Sequence, residues 1–416
     1  MQALSNGIKF LVDMGPSVMM PVIITILGLA LRQSFGKAIK SGLTVGFGFV
    51  GINLVIGLFF QFMAPAADAM VKRLGLNLTA LDVGWPAGAA IAFGTQIGAL
   101  IFIIGILTNL VMLFLRLTKT LDIDIWNYWH WAMSGSLVYF ATGSLGLGII
   151  ASVLHAAFTL KMADWTAPRI QETFDFPGLS ISQGWAMASV PVVYPLVWLV
   201  DRIPGINKLQ ADPESIQKKF GVLGQPTVIG VVLGVIIGIA AGLNLQKTLQ
   251  LGVSMGAVFL LMPRVVGILM EGLTPLAEDA KTFLQRYSKG REVYIGMDSA
   301  LLIGHPATLA TGLLLVPITL LLAVILPGNR LLPFGDLAGT TFFAVMITPF
   351  TRGNMVKNLI VGTLLMTIIM YMGSDWAPLV TKAAASAGFA FPEGTTTITN
   401  FGNPIAWLLV KLSSLF

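Results

Sequence analysis

Apolar residues run along this chain in long tracts, at about 16–32, 41–63, 85–117, 128–143, 145–163 and 182–200, and then at about 226–243, 248–270, 296–327, 332–349, 355–373 and 403–416. Most approach the roughly 20 residues a helix needs to cross a bilayer, and none keeps the two-residue alternation of a half-exposed strand. The pattern predicts an all-α polytopic membrane protein of about ten to twelve transmembrane or re-entrant segments. Two tracts are irregular. Residues 85–117 are too many for one crossing, which predicts a half-helix or hairpin before a full span. Residues 182–200 contain Pro191 and Pro195, each lacking a backbone donor, which predicts a segment that enters and leaves on the same side.

The tracts form two series of matching order. Displacing the chain by 210 positions, without a gap, lays Lys9 on Lys219, Pro16 on Pro226, Gly28 on Gly238, Lys37 on Lys247, Gly57 on Gly267 and Pro65 on Pro275. Apolar composition alone does not align prolines and lysines, so the expectation is a duplicated unit: a first repeat at 1–200, a cytoplasmic linker at 201–219 and a second repeat at 220–416. Arg32, Lys37 and Lys40 put the first turn in the cytoplasm. In the second series the basic residues, Arg286, Lys289 and Arg291, follow the next span instead. That reversal is the mark of an inverted repeat.

Charge narrows the class. Only 11% of the 416 residues are charged and 56% are hydrophobic, which excludes a soluble enzyme. The net charge of +6 belongs to cytoplasmic loops, and no basic, aromatic-interleaved patch points to nucleic acid. There is no cysteine, hence no disulfide, thiolate metal site or phosphocysteine on this chain. No phosphate-binding GxxxxGK[ST] loop occurs, no metal-ligand spacing is found, and no cofactor is implied. The N-terminus has no signal-peptide pattern.

Polar residues inside apolar tracts are costly unless they are used. In LDVGWPAG, Asp82 and Trp85 mark either a hydroxyl-accepting carboxylate beside an aromatic platform or an interfacial Trp beside a helix cap. In DIDIWNYWHW, Trp126, Trp129 and Trp131 read as a membrane-surface belt, with ligand stacking as the alternative, while Asn127 and His130, three apart, share a helical face and suit a polyol. In GMDSALLIGHP, Asp298 and His305 are two turns apart and suit one side of an element; Asp298 is the candidate acceptor, and either is a candidate general base. Asp336, Gln96, Gln183 and Asn403 are further candidates for hydroxyl binding, with capping or interhelical hydrogen bonding as the alternative. His155 reads as a packed histidine.

Together DVGWP, DIWNYWH, FATGS, LHAAF, GMDSALLIGHP, LPGNRLLPFGDLA and TRGN resemble the galactitol-type membrane component, enzyme IIC, of the bacterial phosphoenolpyruvate-dependent phosphotransferase system. The resemblance covers nearly the whole chain. It implies the ascorbate and galactitol superfamily: an inner-membrane homodimer of inverted repeats, with a core domain that carries the polyol against a V-shaped interface domain. It further implies an elevator motion and phosphorylation by the phosphocysteine of a separate IIB protein, charged in turn by IIA. The substrate site expected is Trp85, Gln96, Asn127, His130, Gln183, Asp298, His305 and Asp336. The rival reading is an ion-coupled secondary transporter of unmodified polyol.

Overall fold

The computed structural model describes residues 16–75, 77–209, 221–285, 293–303, 305–389 and 397–415. Most of the proposed linker, the pair Lys9 and Lys219, and the basic residues Arg286 to Arg291 lie outside them. The first half runs α1 (Pro16–Ala30), α2 (Phe35–Leu74), β1 (Ala80–Asp82), α3 (Trp85–Phe93), α4 (Gln96–Phe114), β2 (Thr120–Asp122), α5 (Trp129–Thr142), α6 (Leu145–Phe174), β3 (Leu179–Ile181) and α7 (Gly184–Val200). The second half repeats the order with α8 (Pro226–Ala240), α9 (Leu245–Gln285), β4 (Tyr294–Met297), α10 (Pro306–Ile325), β5 (Leu331–Leu332), the short α11 (Thr340–Ala344) and α12 (Thr348–Thr351), α13 (Met355–Ser386), β6 (Thr397–Thr399) and α14 (Pro404–Ser413). Single 3-10 turns follow β2, β4 and β5.

Among the described residues six helices are long and apolar enough to cross a membrane, and four shorter apolar helices accompany them. The expectation of helices throughout fails at the breaks between them. There the chain passes as short strands in two three-stranded parallel sheets, ordered β5-β1-β6 and β2-β4-β3. Each sheet takes its middle strand from one half and its flanks from the other. Exchanging β1 with β4, β2 with β5 and β3 with β6 converts one sheet into the other. Pairing across the halves satisfies backbone groups that would otherwise be stranded at membrane depth.

Side-chain caps mark the restart of α4, α6, α7, α13 and α14. The Thr95 hydroxyl accepts from Gly98 N, and the same hydroxyl lies 2.7 Å from Ser136 Oγ. The long tract at 85–117 therefore breaks at Gly94–Thr95 into a short helix and a full-length one. Ser144 caps α6, Gln183 caps α7, Asn354 caps α13 and Asn403 caps α14 in the same way.

The segment from β3 to α7 doubles back. Gln171 of α6 donates to Leu179 O, His155 Nε2 lies 3.2 Å from Gly184 O, and Tyr194 returns to the ring of Trp165. The contacts on α6 thus move from residue 171 to 155 and back to 165. The segment from β6 to α14 does the same against α13: Thr381 meets Ile398, Gly402 N donates to Ile369 O, and Trp407 returns to Asp375.

Helices α2 and α9 pack antiparallel through small residues. Gly48 faces Leu269, Gly51 faces Val265 and Gly272 faces Val45, each so close that an added Cβ would collide. Lys37 Nζ reaches Asp279 Oδ2 at 2.8 Å at one end, and Arg73 donates to Ile239 O at the other. The α1–α2 turn and the α8–α9 turn therefore lie at opposite ends of this four-helix unit. Asp279 is outside the apolar span. Burial pushes its carboxyl up, but the hydrogen bonds from Lys37 and Gln33 outweigh this and the net shift is downward.

Candidate functional site

The tips of the two doubled-back segments touch. Trp185 Nε1, two residues beyond Gln183, donates to Gly402 O at 3.1 Å. Beside this contact lies a cavity of about 230 Å³, below the roughly 300–1,000 Å³ of drug-sized sites and suited to a small metabolite. Its walls come from the segments that follow the six short strands: Trp85 at the start of α3, Asn127 and His130 after β2, Gln183 and Trp185 at one tip, Asn400 and Phe401 at the other, Asp298 after β4, and Asp336 after β5. Helix α9 adds Val266, Gly267 and Met270. A Cβ built on Gly267 meets nothing within 4 Å, so the helix backbone itself forms part of the wall.

The polar groups are held by one another. Gln183 Oε1 accepts from Ala186 N at 2.5 Å, capping α7, which aims its amide nitrogen at His130 Nε2, 3.1 Å away. His130 Nε2 is then the acceptor, and its ring stacks on Trp129 with centroids 3.7 Å apart. Asn127 donates to Asp124 Oδ2 at 2.7 Å and also reaches the Asp298 carboxylate. Asp298 Oδ1 accepts from Ala300 N, capping the 3-10 turn that follows. Asp336 joins the halves: Oδ1 accepts from Trp85 N at 2.6 Å and Oδ2 from Phe401 N at 3.2 Å.

Two buried polar atoms on cavity-lining residues have no hydrogen-bond partner: Asn400 Oδ1, an acceptor, and Trp129 Nε1, a donor. A hydroxyl is both donor and acceptor, so one class of ligand satisfies both. Among the described residues no Lys or Arg lines the cavity, while Trp85, Trp126, Trp129, Trp185, Phe342, Phe343 and Phe401 make its walls aromatic.

Of the residues expected from sequence, Trp85, Asn127, His130, Gln183, Asp298 and Asp336 line this cavity. Gln96 and His305 do not. Gln96 opens α4 beyond the Gly94–Thr95 break and is turned away from it. His305 lies seven residues from Asp298, but a 3-10 turn intervenes where a continuous helix was assumed, and the ring lines a different cleft. Asp82 is not at the cavity either. It is fully buried and accepts from Gly84 N, Phe334 N and Asp336 N, a knot of backbone bonds between the halves. The aromatic belt is likewise corrected: Trp126, Trp129 and Trp131 are 4%, 3% and 1% exposed, because α5 starts inside the protein. His155 is a packed histidine, bonded to Ser134 Oγ at 2.6 Å.

Sequence reasoning missed Asn400 and Trp129. Asn403 drew attention instead, but its side chain accepts from Ala406 N and caps α14. The available signal was the pairing of ISQGW with ITNFGNP, two tips of one design, which makes every polar residue of either tip a candidate.

The profile of the phosphotransferase-system sugar-specific permease component family, EIIC-GAT, matches residues 10–394. The chain is 42% identical over 408 residues to a putative permease IIC component of Escherichia coli K12, covering 98% of this chain and 93% of that protein. It is 41% identical over 411 residues to the galactitol-specific EIIC component of the same strain, covering 99% and 91%. The component of that name from Escherichia coli O157:H7 matches equally. With six apolar spans in the described residues, the chain is a multi-pass inner-membrane protein and belongs to the galactitol-type IIC permease family of the phosphotransferase system.

Proposed function

We propose that the cavity takes a linear polyol, galactitol or a close relative, and presents it to a phosphorylated IIB protein, so that uptake and phosphorylation are coupled. The carrying observation is the unpaired acceptor and donor, Asn400 Oδ1 and Trp129 Nε1, on a small aromatic-walled cavity that no Lys or Arg lines among the described residues. Hydroxyls pair with both atoms. A phosphate dianion among Asp298 and Asp336 is repelled, so the product leaves once formed. In the transfer, the S–P bond of a IIB phosphocysteine breaks as an O–P bond forms to a polyol hydroxyl. The hydroxyl proton passes to Asp298, and the thiolate departs with IIB, to be recharged by IIA.

The movement is an elevator. Every polar group of the site comes from the unit formed by α3–α7 and α10–α14, whereas α9 contributes only apolar or glycine wall. The polar contacts thus travel with the core while α1, α2, α8 and α9 stay as the interface domain. The antiparallel α2–α9 pair and the exchangeable sheets support two inverted repeats, 1–200 and 220–416, with the linker at 201–219 in the cytoplasm. The interface unit also exposes Phe47, Leu54, Ile236 and Val253 to lipid or to the second copy of a homodimer.

Reconstitution into vesicles with labelled galactitol tests this. Phosphorylated product is expected only when IIB and its phosphoryl donors are supplied. Gradient-driven accumulation of unmodified polyol without them replaces the reading with secondary transport.

A further inference from the structure

A second concavity, of about 770 Å³, is walled by residues that do not line the cavity. The same two segments build both: Asp298 and Phe343 line the cavity, and His305 and Phe350, each seven residues on, line the cleft. Its other walls are the ends of α6 and α7 and the start of α13, with the side chains of Arg169, Arg352 and Lys357. Two acids also line it. Asp201 is ion-paired with Lys357, and Glu172 is exposed at the side of α6. Among the described residues neither Arg169 nor Arg352 has a carboxylate within ion-pair distance. Arg169 is held instead over the rings of Phe350, Tyr194 and Trp165, at 5.0, 5.7 and 5.9 Å from their centroids. Burial lowers the His305 pKa and so favours its neutral ring, and the fixed cations of the cleft are the arginines and the lysine.

The duplication supplies an internal control. The corresponding turn of the first half is Thr142-Gly143-Ser144, with Gly143 in the left-handed region (φ 71°), and the following helix begins Leu145-Gly146-Leu147. In the second half it is Thr351-Arg352-Gly353-Asn354, then Met355-Val356-Lys357. Arg352 is itself left-handed (φ 55°), a conformation that costs a non-glycine residue about 1 kcal/mol or more. At 210 positions' displacement, Lys357 corresponds to Leu147 and Arg169 to Leu379. The frame is shared, and Arg352, Arg169 and Lys357 have no basic counterpart at their own positions, although Glu172 corresponds to Lys382; one of the three, Arg352, is held at a conformational cost.

We propose that this cleft receives the phosphoryl group of the phosphorylated IIB partner, with Arg352 and Arg169 as the cationic contacts that guide it toward the polyol cavity. The proposal rests on the function proposed above. A phosphoryl dianion pairs bidentately with a guanidinium, and two guanidiniums without carboxylate partners, outside a cavity that no Lys or Arg lines among the described residues, give the donor a place distinct from the acceptor's.

The test uses the full-length protein in vesicles with phosphorylated cognate IIB. Arg352→Asn keeps a residue that tolerates the left-handed backbone, so the fold is retained. The expected result is an apparent KM for phospho-IIB raised about tenfold or more, polyol binding to the resting protein unchanged, and Arg352→Lys in between. An unchanged KM overturns the proposal. Product inhibition by the polyol phosphate that disappears in Arg352→Asn at unchanged KM assigns the cleft to the leaving product and also overturns it, as does a defect seen only in vesicles containing anionic lipid. Absence of polyol binding in the unaltered protein would instead overturn the function on which the proposal rests.

Discussion

The tips at Gln183–Gly184 and Gly402–Pro404 are built alike and equipped differently. Each follows a three-residue strand, each caps its returning helix with an amide side chain, and each reaches the middle of a long helix. Yet at the first tip the capping Gln183 also faces the cavity, whereas at the second the capping Asn403 is spent on Ala406 N and Asn400 takes the cavity position. Asp82, which ends β1, and Asp298, which follows β4, diverge in the same sense. One accepts three backbone N–H groups and is sealed in; the other caps one turn and is left facing the cavity. The two tips share their backbone course and their caps, and on the proposed function a few polar residues make one copy structural and the other chemical.

The sharpest way to break this comparison is to remove both carboxylates in turn. Asp82→Ala leaves three buried N–H groups unpaired and should cost about 3 kcal/mol or more, read as a large loss of folded protein in thermal unfolding. Asp298→Asn should leave the folded yield close to normal while weakening polyol binding about 10- to 100-fold, the worth of a hydrogen bond to a charged group. Equal stability losses would refute the division of roles, and unchanged affinity would remove Asp298 from the site.

The two asparagines of the second tip sharpen it further. Asn400→Ala should weaken binding of labelled galactitol roughly fivefold to tenfold with little change in melting temperature. Asn403→Ala should lower stability by about 1 kcal/mol through loss of the cap and leave affinity unaltered. If both variants behave alike, the tips do not partition support from recognition.

The smallest effect belongs to the ends of the interface helices. Asp279 has a folded-state pKa below its ordinary value of 3.8. Its contribution to stability is therefore complete above that value and declines as pH falls through the lowered one. Melting temperatures of the unaltered protein and of Asp279→Asn should differ at neutral pH and converge on acidification below about pH 3.8. A difference that persists at low pH would assign the contact to packing rather than charge.

Much of the fold was legible because membrane insertion writes a strong signal. Apolar tracts long enough to span lipid, and prolines and lysines that recur at a fixed displacement, disclosed both the helices and their duplication. The breaks were legible only as breaks. Pro191 and Pro195 marked a segment that cannot cross as an ordinary span, but not that three residues before it pair in a sheet with β4. Short strands of this kind carry no periodicity of their own, since Leu179, Ser180 and Ile181 are all buried. Spacing misled at Asp298 and His305, where seven residues were taken for two helical turns and the chain instead makes a 3-10 turn before α10.

The sequence by itself determined that this chain lies in a membrane, repeats prolines, glycines and lysines at a displacement of 210 positions, holds no cysteine, and has few polar residues within its apolar tracts. Those are properties of composition and order along the chain, which hydration and chain length enforce locally. Only the tertiary structure decided which polar residues share a cavity. That depends on strands of one half pairing inside the other, which brings Asn127, Asp298 and Asn400 together from three distant breaks and carries His305 into the basic cleft. Capping and recognition draw on the same amides and carboxylates, so their roles are told apart only by which backbone donors each has already bound.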